Sequence, residues 1–230
     1  MFSPHYGRFW SHKTKENVTQ LGNGQPDRRS FSLLRASNND SLKRDLVDLN
    51  VDSTWNKPID ELASSSNPPI VLVCGPRSSG KSTFCRILSN RLLSGGQGNS
   101  YKAIWHLDLD STVPEYTLPG QVSISEITRL NFGPPYTHPV LIGNVPRGAL
   151  PIAATDFRDR PEYFLNCVDH LVEHSLGSVR QQRLPLIIDT PPIAPGAANE
   201  VILKLVSRLK LTDVITIGRG QATWMTQLDQ

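Results

Sequence analysis

The chain has 230 residues, 38% of them apolar, and a formal net charge of +3, a length that suits one domain with some chain to spare. A mean hydropathy of −0.30, with no apolar run near the roughly 18 residues that a bilayer crossing needs, excludes a helical membrane protein. Residues 1–50 hold eight Lys or Arg against five Asp or Glu, and the remainder holds sixteen of each, so the basic excess sits in the first stretch and reads as a solvated extension.

That first stretch opens MFSPHYGRFWSHKTK, which has neither the apolar core of a secretory signal nor an acid-free Arg/Ser pattern, so an intracellular chain is expected. From residue 1 to 54 no period is sustained and Ser, Asn, Gly and Arg dominate, so a polar, largely disordered tail is expected there. Around Asp45–Leu62 the apolar positions Leu46, Leu49, Trp55, Ile59 and Leu62 predict a short amphipathic helix, broken by SSSNPP. Residues 55–230 then form the expected domain. Ile70–Cys74 predicts a buried strand, Lys81–Leu93 a helix, Ala103–Leu109 a strand, Val140–Ile142 a third strand and Arg160–Leu176 a helix with Pro161 in its first turn. Leu184–Ile188 predicts a fourth strand, Ala197–Leu209 a helix and Val214–Ile217 a fifth strand. Strands apolar on both faces and separated by helices predict an α/β fold: a parallel sheet of about five strands with helices on both faces. The three cysteines, Cys74, Cys85 and Cys167, stand among apolar neighbours with no C-x-x-C pair, and read as buried thiols.

The chemistry concentrates where the first strand runs into GPRSSGKST, residues 75–83. Strand, glycine loop and helix start in this order fit G-x-x-x-x-G-K-[ST], a phosphate cradle. The backbone of Gly75, Pro76, Arg77, Ser78, Ser79, Gly80, Lys81, Ser82 and Thr83 is expected to wrap the phosphates of ATP or GTP, aided by the helix dipole. Lys81 is expected to reach the β- and γ-phosphates, and the Ser82 hydroxyl to ligate Mg²⁺. A second feature is HLDLD, residues 106–110. In a continuous strand Asp108 and Asp110 would stand side by side and repel, which implies a neighbouring cation. Both are therefore expected at the metal and phosphate, one holding Mg²⁺ and the other orienting or deprotonating an attacking hydroxyl. Asp189, after LPLII, resembles a Walker B carboxylate. Its D-T-P-P context is also similar to a nucleotide-moved loop in partition-type ATPases, so a nucleotide-dependent switch or scaffold ATPase is the competing reading.

Taken together, WNKPIDEL, VLVCGPRSSGKSTFCRILSNRLL, LDLDSTVPEYTLPGQVSI, FGPPYTHP and LPLIIDTP resemble, in order and spacing, the polynucleotide 5′-hydroxyl kinases, and among them the nucleolar branch of pre-ribosomal RNA processing. The resemblance covers about Trp55–Gly218. It implies transfer of the γ-phosphate of ATP or GTP to the 5′-hydroxyl of RNA or DNA, an endonuclease partner protein, and a nuclear, nucleolar location; apart from the resemblance a cytoplasmic chain, with no membrane, is expected. By position it places the phosphate lysine on Lys81, the magnesium hydroxyl on Ser82, and the hydroxyl-activating carboxylate on Asp110 with Asp108 beside it. Three departures stand out. Thr112 and Val113 replace the family's Gly-Gln, Ile193 stands where a nucleic-acid-stacking tryptophan is expected, and only Arg219 follows the fifth strand where lid arginines belong. A catalytically degenerate homologue acting by partner binding is therefore a further reading, with weakened stacking on RNA.

Overall fold

The computed structural model describes residues 10–12, 31–33, 51, 53–95, 100–135, 143–154, 156–192, 203, 205 and 207–218, with backbone alone at 10–12, 31–33, 174–176 and 178–180. The chain divides into two compact units, residues 1–52 with 132–137, and residues 53–131 with 138–230. In the first unit, β1 (Trp10–His12) pairs antiparallel with β2 (Phe31–Leu33), Ser11 opposite Ser32. Two three-residue strands this far apart carry no apolar period, so the sequence gives no sign of them.

The second unit holds α1 (Asn56–Ala63), β3 (Ile70–Cys74), α2 (Lys81–Ser94), β4 (Ile104–Asp108), β5 (Gln121–Ile127), β6 (Asn144–Pro151), α3 (Pro161–Gln182), β7 (Leu186–Asp189) and β8 (Asp213–Thr216). Its six-stranded sheet has the order β6-β5-β4-β7-β3-β8. The four strands β4, β7, β3 and β8 run parallel, as the apolar runs predicted. Two further strands extend it antiparallel, β5 on β4 and β6 on β5, with an irregularity in register between Ile124 and Ser125. The sequence hides both. Strand β5 buries Ser123 and Ser125 completely, and β6 contains Pro146, Gly148 and Pro151, residues that argue against a strand except at a sheet edge, where β6 lies.

Alternation along the strands sorts side chains between two cores. Leu72, Trp105, Leu107 and Ile188 pack with Phe164, Val168, Leu171 and Val172 of α3. Val71, Val73, Ile104 and Ile187 pack with Ile59 and Leu62 of α1 and with Phe84, Leu88 and Leu92 of α2. Helices therefore cover both faces, and Cys74, Cys85 and Cys167 are free and buried within these layers. Helix α3 runs on through Gly177 beyond its expected end, because an interior glycine costs only about 1 kcal/mol. It stops at Arg183, whose φ of 51° breaks the helical path. Of the amphipathic stretch at 45–62, the helix forms over Asn56–Ala63, and positions 45–50 lie outside the described residues. The strand expected at 140–142 and the start of the helix expected at 197–209 lie outside them too, while positions 203, 205, 207 and 208 are helical. Among the described residues no helix is long and apolar enough to cross a membrane.

Candidate functional site

Strands β3, β4 and β7 end side by side, with Val73 opposite Asp189 and Asp189 opposite Asp108. Ligands of such sheets bind beyond these carboxyl ends. Strand β3 hands over to the glycine loop there. At Gly75 a Cβ would come within 2.3 Å of the Ile217 carbonyl oxygen, and at Gly80, where φ is +100°, within 2.9 Å of the Trp55 indole. Any side chain at either position would push the loop away from Ile217 or from Trp55. Helix α2 starts immediately, its first bond running from the Phe84 N–H to the Gly80 carbonyl at 2.8 Å. The first-turn amides of α2 are thus available to an anion. Trp55 packs edge-on against Phe84, ring centroids 5.4 Å apart, so the residue just before α1 braces the loop from outside; the sequence offered Trp55 as an apolar helix position and domain start, not as a contact of the loop.

A cleft of about 300 Å³ opens over this loop, lined by Arg77, Ser78, Gly80, Lys81, Ser82, Thr83, Asp110, Thr112, Val113 and Pro192. Lys81 is 5% exposed and its Nζ donates to the Pro76 carbonyl at 3.2 Å, which draws the ammonium into the cradle. Below the loop, Asp189 is buried and its Oδ1 has no partner among the described residues. Burial pushes its carboxyl up to about 7, against the opposing pull of a hydrogen bond from the Ser82 hydroxyl and of the Lys81 charge. Thr190 turns the chain away beneath it, its hydroxyl donating to the Val73 carbonyl at 2.9 Å.

The two aspartates of HLDLD part company. Strand β4 ends at Asp108, so the same-face geometry expected for Asp108 and Asp110 does not extend to Asp110. Asp108 is 2% exposed; its Oδ1 accepts from the Asp110 N–H at 3.1 Å and its Oδ2 from the Glu115 N–H at 2.7 Å. Burial and the neighbouring Asp189 raise its carboxyl well above the usual range, while the Glu115 amide opposes this. It does not line the cleft. Asp110 does, its Oδ1 also accepting from the Thr112 N–H at 3.1 Å. Val113 stands in the same cleft 58% exposed, so the departure from Gly-Gln falls in the site itself. Ile193 and Arg219 lie outside the described residues, as do Tyr136 and the second half of FGPPYTHP. Trp105 is a core residue, and Arg147 and Arg158 pair with Glu126 and Asp156 at the surface.

Behind Asp189, Cys85 and His106 each bring a ligand atom within 4.8 Å of its carboxylate. A thiol and an imidazole suit soft transition metals more than an oxygen-seeking ion such as Mg²⁺. Burial lowers His106 to about 4 and raises Cys85 well above its usual value, so both are neutral.

A parallel strand feeding a glycine loop and a helix, with a buried lysine and a strand-end carboxylate beside it, defines a P-loop nucleotide-binding domain. More narrowly, the family model described as mRNA cleavage and polyadenylation factor CLP1 P-loop matches residues 75–229, and the chain belongs to that family. It is 35% identical over 237 residues to the polynucleotide 5′-hydroxyl-kinase grc3 of Aspergillus niger, covering 98% of this chain and 29% of that protein. The grc3 protein of Aspergillus terreus is 35% identical over 240 residues, with 99% and 29% covered, and the GRC3 protein of Gibberella zeae 30% identical over 225 residues, with 95% and 30% covered. The chain thus spans less than a third of the length of these relatives. Among solved structures it is similar to wild-type Clp1p in complex with Pcf11p, with a TM-score of 0.63 and 17% identity over 76% of this chain and 44% of that one, a likeness of fold.

Proposed function

We propose that this chain carries the phosphate-transfer centre of a polynucleotide 5′-hydroxyl kinase that moves the γ-phosphate of ATP or GTP to the 5′-hydroxyl of RNA, or of DNA. The observation that carries the reading is the shared cleft: Asp110 faces the same space as Lys81, Ser82 and the glycine loop. A hydroxyl placed there attacks phosphorus, the new bond joins the 5′-oxygen to the γ-phosphorus, and the bond to the β-phosphate oxygen breaks to release the diphosphate. The hydroxyl proton passes to Asp110. An aspartate is a weak base at neutral pH, so Asp110 acts chiefly by orienting the nucleophile and accepts the proton late. Lys81 meets charge on the β- and γ-phosphates, and amides from Gly75 to Thr83 hold the remaining oxygens.

The donor set fits Mg²⁺. Ser82 and Asp189 are hard oxygen donors beside the cradle, and the buried Oδ1 of Asp189, with no partner among the described residues, suits a cation or its water. When bound, Mg²⁺ supplies charge neutralisation at the β- and γ-phosphate oxygens. Asp108, with both oxygens engaged by backbone amides, is assigned instead to shaping the turn. The family description, an mRNA cleavage and polyadenylation factor, supports a role in RNA processing, with a protein partner of the endonuclease class and a nuclear, nucleolar setting as the finer proposals. That the solved neighbour is a Clp1p–Pcf11p complex is consistent with a protein partner.

Transfer of label from γ-labelled ATP to a 5′-hydroxyl oligonucleotide, lost in Lys81→Ala, is the expected result. Nucleotide binding without any transfer would sink the kinase reading. The competing switch ATPase draws on Pro192, which brings the D-T-P-P turn to the cleft rim; it predicts hydrolysis that no oligonucleotide accelerates.

A further inference from the structure

Helix α2 does more than open at the phosphate loop. Six residues in, Arg86 donates from Nε to Oε1 of Glu115 at 2.8 Å and from a terminal nitrogen to Oε2 at 2.9 Å. The pair is largely withdrawn from water, with side chains 14% and 5% exposed. Glu115 in turn closes the turn that starts at Asp108, through its own N–H on Asp108 Oδ2. One helical turn beyond Arg86, on the same face, Asn90 exchanges two bonds with the backbone of Asn131, at 2.6 and 2.8 Å. The Asn131 amide donates to Glu115 Oε1 at 2.6 Å. The far end of the turn bearing Asp110, at Glu115, is thereby tied to α2 twice, through Arg86 and through Asn131 to Asn90, and its near end, Asp108, is tied to Glu115.

Stability alone does not call for such a pair, since well-packed apolar residues of similar volume often serve as well or better. A two-pronged guanidinium–carboxylate contact supplies direction, which apolar packing does not. We infer that Glu115, held by Arg86, is a positioning residue that fixes Asp110 relative to the phosphates, so that the helix gripping the donor also aims the group receiving the acceptor. This rests on the kinase reading given above. Asp110 hangs from Asp108 Oδ1 by its own N–H, so release of Glu115 loosens the peptide that carries the carboxylate.

The test uses the full chain with three variants. In Glu115→Gln the expected result is a fall in kcat of about 10- to 100-fold, with KM for the nucleotide within about twofold. Arg86→Lys, which keeps charge but loses the fork, should fall between wild type and Glu115→Gln. The double variant Arg86→Met/Glu115→Leu restores packing without direction, so its Tm should recover while kcat stays low. In all three, amide exchange at Asp110 and Glu115 should quicken in the folded state. Wild-type kcat in the folded double variant, or a loss of nucleotide affinity as large as the loss of rate, overturns the inference. If wild-type protein transfers no phosphate, the kinase reading fails by itself; unchanged exchange at Asp110 and Glu115 then separately overturns the positioning role.

Discussion

The glycine loop and the Asp108–Glu115 turn flank one cleft and are held by opposite means. The loop is shaped from within, by two glycines where a Cβ would strike Ile217 or Trp55 and by the helix that starts at once after it. The turn is closed by its own first residue, Asp108, but is held in place from without, by Arg86 of α2 on Glu115. Local shape survives in a short motif, whereas shape imposed by distant partners does not. The same contrast separates the two aspartates, one buried to hold backbone and one presented to the cleft.

Changes at the two sites should therefore break different properties. Lys81→Ala is expected to remove transfer by about 10³-fold or more, as loss of a principal charge on the transferring group does. Asp110→Asn should lower kcat by about 10²-fold or more while leaving nucleotide affinity and the urea midpoint near wild type, read by single-turnover assay and denaturation. Asp108→Ala should do the reverse in emphasis, costing about 2 kcal/mol of stability by orphaning two amides, with the rate falling as a result of the loosened turn. If Asp108→Ala keeps its midpoint and loses only activity, the division of labour between the aspartates is wrong.

A pH series sharpens the same contrast beneath the cleft. His106 is lowered to about 4 from 6.5, so between these values the unfolded chain binds the proton more readily and stability rises with pH, by on the order of 3 kcal/mol. Asp189, raised to about 7, works with the opposite sign, since the folded state keeps a proton that the unfolded state releases as pH climbs from about 4 to 7. The wild-type profile sums these, and Asp108, whose carboxyl burial also raises, adds to it with the sign of Asp189. His106→Phe retains a ring against Tyr116, and the difference between wild-type and variant urea midpoints should grow as pH falls below 6.5. The smallest effect is expected at Val113→Gln, which puts an amide donor into the cleft; transfer should rise, by less than about 10-fold.

The parallel half of the sheet and the phosphate loop were legible because their causes are contiguous: an apolar run, a glycine, a helix start. The antiparallel half was not. Ser123 and Ser125 point inward where a reader of polarity places them outward, and the prolines of β6 mask a strand that tolerates them at its rim. Asp110 stood out with Asp108 in the HLDLD pattern, and a family resemblance gave it the hydroxyl-activating role, but the expectation that the two stand side by side assumed a strand two residues longer than the real one. Asp189 announced itself by following an apolar strand. Arg86, Glu115 and Asn131 did not, because no spacing in the chain says that positions 29 and 16 residues apart share a buried bond.

The outer rim of the sheet has a bearing on how the molecule behaves among its neighbours. A free strand edge ordinarily recruits other strands and seeds aggregates. Along β6, Pro146 and Pro151 have no N–H to offer, Arg147 keeps a charge at the margin, and the register jog at Ile124 and Ser125 disrupts the adjoining ladder. An approaching strand finds fewer donors and a broken ladder, so the border that looked least like a strand in the sequence is also a poor template for growth.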